Sequence, residues 1–100
     1  MKPAIGLPCT RKMYSDRHAG TIIQLISEKC VLWQRDKARR VHPYEGGVPE
    51  REEYTYARDT QGETRRVTLR KNGQWVEQGE PMTGTRYIMG IRDEHYDFSL

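Results

Sequence analysis

Arg66, Arg70 and Trp75 are the residues of this chain best suited to recognition chemistry. An indole flanked by guanidinium groups can stack a nucleobase while the arginines grip a phosphate. Stacking on an exposed aromatic is worth about 1–3 kcal/mol per base. Arginine on tryptophan without a ligand is worth only about 0.5–1 kcal/mol. The case for placing the three together is the segment Val67-Thr-Leu-Arg-Lys-Asn-Gly-Gln-Trp-Val-Glu77. Asn72-Gly73 between alternating runs predicts a hairpin with a two-residue turn. That register pairs Arg70 with Trp75, Leu69 with Val76 and Thr68 with Glu77. Val67, Leu69 and Val76 then form an apolar face, and Arg66, Thr68, Arg70, Trp75 and Glu77 the opposite one. The competing expectation is that Trp75 packs under the C-terminal aromatics Tyr96 and Phe98.

A second basic group is Arg35, Lys37, Arg39 and Arg40. Against nucleic acid these side chains would act mainly on phosphates, with strong salt dependence. Arg17 and His18 join them if both segments reach the same end of the fold.

Two His/Asp groupings stand out, Asp16 with His18, and Asp93, Glu94, His95 and Asp97. On extended chain Asp-x-His and His-x-Asp each place both side chains on one face. A metal site needs three or four converging ligands, and no HExxH, EF-hand or zinc-ribbon spacing is present. Hydrolysis would want a nucleophile, a base and an orienting group. Ser15, His18 and Asp93 exist, but nothing in their spacing brings them together. Neither a cofactor nor catalysis is expected. The acidic tail offers a contact for a basic partner surface, or edge-strand charges that discourage aggregation.

The elements that must position these groups are short strands. One hundred residues make one small domain, expected over 1–100, with one small core. Charged residues are 31% and hydrophobic residues 35%, lean but above the disordered range. Net charge is +3, yet residues 1–41 carry +6 and residues 42–100 carry −3. Twelve of the seventeen basic residues are arginine, whose planar donor fork suits phosphate and carboxylate. This balance points to an anionic partner. Cys9 and Cys30 lack CxxC spacing, and the opening residues lack an apolar h-region. No run approaches the roughly 18 apolar residues of a membrane span. A cytosolic protein with free thiols and no membrane contact is expected.

Helical periodicity is poor, with only the polar stretch Gln34 to Val41 as a candidate. Strand signals recur between turns. Strands are expected over Ile5–Tyr14, Thr21–Ile26, Cys30–Arg35, Glu53–Arg58, Thr64–Lys71 and Thr85–Ile91. Ser15 to Gly20 reads as a turn, and Asp36 to Arg40 as a polar connector. Residues 42–50 read as the longest loop. Thr64–Lys71 is expected to pair back onto Glu53–Arg58. Tyr87, Met89 and Ile91 are expected on the core side, and residues 93–100 as an edge strand or tail. The predicted fold is all-β, a small barrel or strongly twisted antiparallel sheet of about six or seven strands. An exposed edge or the Trp75 face could also serve as a homodimer interface.

Tyr14 to Arg40 resembles the opening of an SH3-like barrel of the KOW or Tudor type. A polar turn containing Ser15-Asp16 and Gly20 leads into a β-branched strand, a short turn, and a strand ending Leu32-Trp-Gln-Arg-Asp36. The lysine-rich first strand of KOW domains is missing. The chain as a whole resembles small bacteriophage and prophage proteins in Ser15-Asp-Arg-His-Ala-Gly-Thr21, Gln34-Arg-Asp-Lys-Ala38, Leu69-Arg-Lys-Asn-Gly-Gln-Trp-Val76 and Arg92-Asp-Glu-His-Tyr-Asp97. That likeness implies a phage accessory protein in the cytosol of a bacterial host. The leading expectation is a binding protein that sequesters or blocks a host factor, such as a protein or nucleotide signal of an anti-phage defence. The alternatives are a KOW-like nucleic-acid module, using Arg35 to Arg40 with Trp75 or Trp33, and a small virion structural protein.

Overall fold

The computed structural model describes residues 2–41 and 53–94. Their strands are β1 (Pro8–Lys12), β2 (Arg17–Ser27), β3 (Cys30–Arg35), β4 (Lys37–Val41), β5 (Glu53–Ala57), β6 (Thr64–Leu69), β7 (Trp75–Glu77) and β8 (Arg86–Met89). Six close into an antiparallel barrel in the order β1-β2-β3-β6-β7-β8, with β8 pairing back onto β1. Closure removes the exposed edges that an open sheet must protect. Strands β4 and β5 form a separate two-stranded ribbon, inserted between β3 and β6.

Side chains alternate across each strand, so every second residue faces the barrel interior. Cys9, Ile22, Val31, Trp33, Val67, Trp75 and Tyr87 meet there as one buried cluster. Trp33 sits centrally. Its Nε1–H donates to the Cys9 carbonyl at 2.9 Å, and its ring meets Tyr87 edge-on with centroids 5.4 Å apart. Register shifts after Ile22 and after Leu25 mark irregularities in β2, which bend the long strand around the barrel. The expected β3 and its faces stand, with Val31 and Trp33 inside.

The Asn-Gly hairpin forms, but in a different register. Leu69 pairs with Trp75, Thr68 with Val76 and Val67 with Glu77. The Gly73 N–H donates to the Arg70 carbonyl at 3.0 Å, and the Arg70 N–H to the Gln74 carbonyl at 2.9 Å. Gly73 alone in this turn has positive φ, at 82°. The loop is therefore three residues, Lys71-Asn72-Gly73, a type I turn closed by a glycine bulge. A two-residue type I′ turn would need positive φ at Asn72 too. One residue of slip flips every side chain after the turn. It carries Trp75 inside, where it is 8% exposed. Burying an indole is worth several kcal/mol at about 25 cal/mol per Å². One more loop residue costs far less.

Four other expectations are corrected. The Gln34 to Val41 stretch is not helical: it ends β3 and forms β4, which pairs with β5 through Ala38 opposite Tyr56 and Arg39 opposite Thr55. Ladder pairing with β5, which sets Tyr56 opposite Ala38 and Tyr54 opposite Arg40, outweighs the stretch's modest helix propensity. β6 pairs with β3 and β7, and not with β5. Arg17 to Gly20 belongs to β2, leaving a tight turn in which the Met13 N–H donates to the Asp16 carbonyl at 2.9 Å. Ile91 lies past the end of β8 and is exposed, while Tyr87 and Met89 do face inward. The expected loop 42–50 and the tail residues His95, Tyr96, Asp97 and Phe98 lie outside the described residues.

Candidate functional site at the barrel mouth

The two ends of the barrel interior differ in chemistry. At one end lie the β2–β3 turn, the β6–β7 turn, the end of β8 and the N-terminal segment. They border an open cavity of about 850 Å³ lined in part by Leu25, Leu69, Trp75, Tyr87 and Met89. Exposed Lys2, Glu28 and Lys29 border it. The apolar wall follows from strand alternation, since Leu69, Trp75, Tyr87 and Met89 occupy inward positions on three strands. Leu25 is 46% exposed, an aliphatic side chain left open at the rim. This is the size and mix of surfaces that small-molecule sites use.

The opposite end is filled by ion pairs. Arg11 donates through Nη2 to Glu77 Oε1 at 3.1 Å, and the Tyr87 hydroxyl donates to the same oxygen at 2.9 Å. Arg65 donates to Glu63 at 2.6 Å. That hydrogen bond is the main cause holding the Glu63 carboxyl below the usual carboxylate range. Glu94 has a fully buried carboxylate that accepts from the Ala19 N–H at 2.9 Å and from Arg35 Nη2 at 3.1 Å. Beside it the Glu94 N–H donates to the Tyr56 hydroxyl at 3.0 Å, tying the ribbon to the C-terminal segment.

His18 lies at this end. Burial lowers its pKa from the ordinary 6.5, and the positive charges of Arg35 and Arg11 add to that, against Glu94 and Asp16. The unfolded chain therefore binds this proton more readily than the native one. Stability from this group is present in full above about pH 6.5 and is lost as the pH falls through the folded value. The urea midpoint is expected to fall between about pH 7.5 and pH 5.5, with a shallower fall in His18→Gln. Equal slopes in the two proteins would refute the assignment.

The expected site residues are dispersed. Trp75 faces inward and lines the mouth, whereas Arg66 and Arg70 point outward, two residues either side of Thr68. The stacked platform of these three is not assembled. Arg70 is pinned to the sheet, donating to Thr68 Oγ1 at 2.8 Å and to the Glu77 carbonyl at 3.0 Å. Arg35 faces inward to Glu94, while Lys37 and Arg39 are exposed on the ribbon. Arg40 stands opposite Tyr54 in the ribbon register. Arg17, between Asp16 and His18, pairs with Asp93 at 2.8 Å. Among the described residues no group of three His, Cys, Asp or Glu side chains is arranged to hold a metal.

No family model, curated protein or solved structure matches the chain.

Cys9 and Cys30 are both free thiols. Cys9 sits in the core, where burial pushes its thiol up to about 12, too high for a nucleophile at neutral pH. Among the described residues no helix is long and apolar enough to cross a membrane. Sequence reasoning missed the mouth because Lys2, Leu25, Lys29 and Met89 share no motif. Only barrel closure brings them together.

Proposed function

We propose that this chain is a non-catalytic binding protein that sequesters a host-cell factor, and that the barrel mouth holds it. The observation that carries this reading is the 850 Å³ cavity with Trp75 and Tyr87 in its wall and Lys2 and Lys29 at its border. An apolar, aromatic wall beside ammonium groups suits a small amphipathic anion. A nucleotide signal fits that chemistry, with its base against Leu69 and Trp75 and its phosphates on the lysines. The lysines take the role first expected of Arg66 and Arg70. The likeness to phage accessory proteins directs the search to bacterial signals, including those of anti-phage defence.

The test is a thermal-shift and tryptophan-fluorescence titration against linear and cyclic mono- and dinucleotides. One ligand should raise the melting temperature and quench Trp75; ligand at about 100 times Kd contributes about 2.7 kcal/mol. Leu25→Ala with Lys29→Ala, both exposed positions, should fold normally and lose the response. No response to any nucleotide sinks the nucleotide form of the reading. If tagged protein also retains no small molecule or protein from bacterial lysate, sequestration itself is refuted.

A further inference from the structure

We infer that the outer face of β6, β7, β8 and β1 is a second, separate binding surface, and that its partner is the phosphodiester backbone of a nucleic acid. Three registers build this face. Lys12 on β1 lies opposite Arg86 on β8, Arg86 opposite Val76 on β7, and Val76 opposite Thr68 on β6. Directly paired residues share a face, so these four form one row across the sheet. Arg66 and Arg70 stand two residues either side of Thr68 and point the same way. Lys12, Arg66, Arg70 and Arg86 are thereby gathered from three distant parts of the chain.

Among the described residues the strands of this face present no outward carboxylate, and Asp93, which lies beside Thr10 of β1, is taken up by Arg17. The four strands contain one acidic residue, Glu77, and it turns inward to Arg11 and Tyr87. Lys12, Arg66 and Arg86 are exposed, and among the described residues none of them forms a salt bridge. The Arg70 guanidinium is already fixed against the sheet, so little side-chain freedom is lost when it binds. Neighbouring strands lie about 4.8 Å apart and residues rise about 3.3 Å. The cations therefore cover a patch of roughly 13 Å in each direction, which matches a few successive phosphates.

The composition favours nucleic acid over other anionic partners. Val76 at the centre is fully buried, and none of the exposed large hydrophobic residues lies on these strands. A protein interface would want an apolar or aromatic anchor, and a membrane surface would want insertable side chains. Arginine predominates over lysine, which suits forked recognition of phosphate oxygens. With no exposed aromatic on the strands themselves, contacts fall on the backbone and sequence preference should be weak.

The test is fluorescence anisotropy with labelled mixed-sequence single-stranded and double-stranded DNA of equal length, over a salt series. Binding should be tightest at low salt. The slope of log K against log salt should be near −3 to −4 for about four phosphate contacts. Lys12→Glu with Arg86→Glu should weaken binding by about 100-fold while the thermal melt is unchanged. Lys12→Ala with Arg86→Ala should make the slope shallower by about two. The ribbon pair Lys37→Ala and Arg39→Ala, and the mouth pair Leu25→Ala and Lys29→Ala, should leave both readings alone. The two DNA arms decide which strand form the face prefers. No binding to either probe, equal binding to poly-glutamate, or loss in the ribbon pair instead of the face pair would each overturn the inference.

Discussion

Gly20→Ala is expected to be among the most damaging single substitutions in this protein, costing about 3 kcal/mol or more. Gly20 lies within β2, between Cys9 on β1 and Arg35 on β3. A β-carbon built there would sit 2.1 Å from Trp33 Nε1, 2.2 Å from Trp33 Cε2 and 2.6 Å from the Gln34 carbonyl oxygen. Neither neighbour can give way cheaply. The indole is wholly buried, hydrogen-bonded to the Cys9 carbonyl and braced by Tyr87. The Gln34 oxygen is backbone in the adjacent strand. Overpacking usually costs about 1–3 kcal/mol when side chains can shift. Here the ring, its hydrogen bond and a strand would all have to move.

Against a typical stability of about 5–15 kcal/mol, that loss should lower the melting temperature by about 12 °C or more. Urea and thermal unfolding of Gly20→Ala measure it directly, and a change within about 0.5 kcal/mol would refute the close approach. A second arm separates crowding from any general effect of alanine in a strand. Trp33→Leu alone should cost about 3 kcal/mol through lost packing. In the Gly20→Ala, Trp33→Leu double variant the penalties should fall short of additive, because the clash with the indole is gone and only the approach to the Gln34 carbonyl oxygen remains. Additive penalties would place the cost of Gly20→Ala elsewhere.

Gly20 also shows where sequence reasoning fell short. In sequence it closes a polar run and reads as a turn glycine. Its role is to let an indole from the neighbouring strand lie against backbone, which depends on a partner known only after folding. Fold class was legible because alternation and turn residues are local. The Val31 and Trp33 face followed from β3 alone. The Asn-Gly hairpin was legible as a hairpin but not in its register, since the same dipeptide serves a two-residue and a three-residue loop. The choice depended on where Trp75 could be buried. β4 escaped notice because Lys37-Ala-Arg-Arg-Val41 has no apolar alternation, and only the cross-strand Tyr54 and Tyr56 make it a strand. The basic outer face was invisible for a related reason. Lys12 and Arg86 become neighbours only when the barrel closes.

Arg92→Met should destabilise the protein by about 3 kcal/mol through a carboxylate 56 residues away. The Asp36 side chain is 1% exposed. It accepts from the Thr21 hydroxyl at 2.7 Å and from Arg92 Nε at 2.8 Å, with Arg58 Nη1 more distant at 3.7 Å. Arg92 Nη2 also reaches Thr21 Oγ1 at 3.3 Å, so the three side chains form one closed network. Removing the guanidinium leaves a buried charge facing a hydroxyl and the half-exposed Arg58, which compensates only in part. Breaking one side of a buried pair usually costs about 3–5 kcal/mol, and Arg58 should keep this case near the lower end. Replacing both partners removes the uncompensated charge together with its desolvation cost. Asp36→Leu with Arg92→Met should therefore be more stable than Arg92→Met alone, by about 1–3 kcal/mol. Urea unfolding of the two single variants and the double variant closes the cycle. If the double variant is the least stable of the three, Asp36 is not held by charge pairing, and the C-terminal segment must be fixed to the barrel chiefly through Glu94 and the bond from the Asp93 N–H to Thr10 Oγ1.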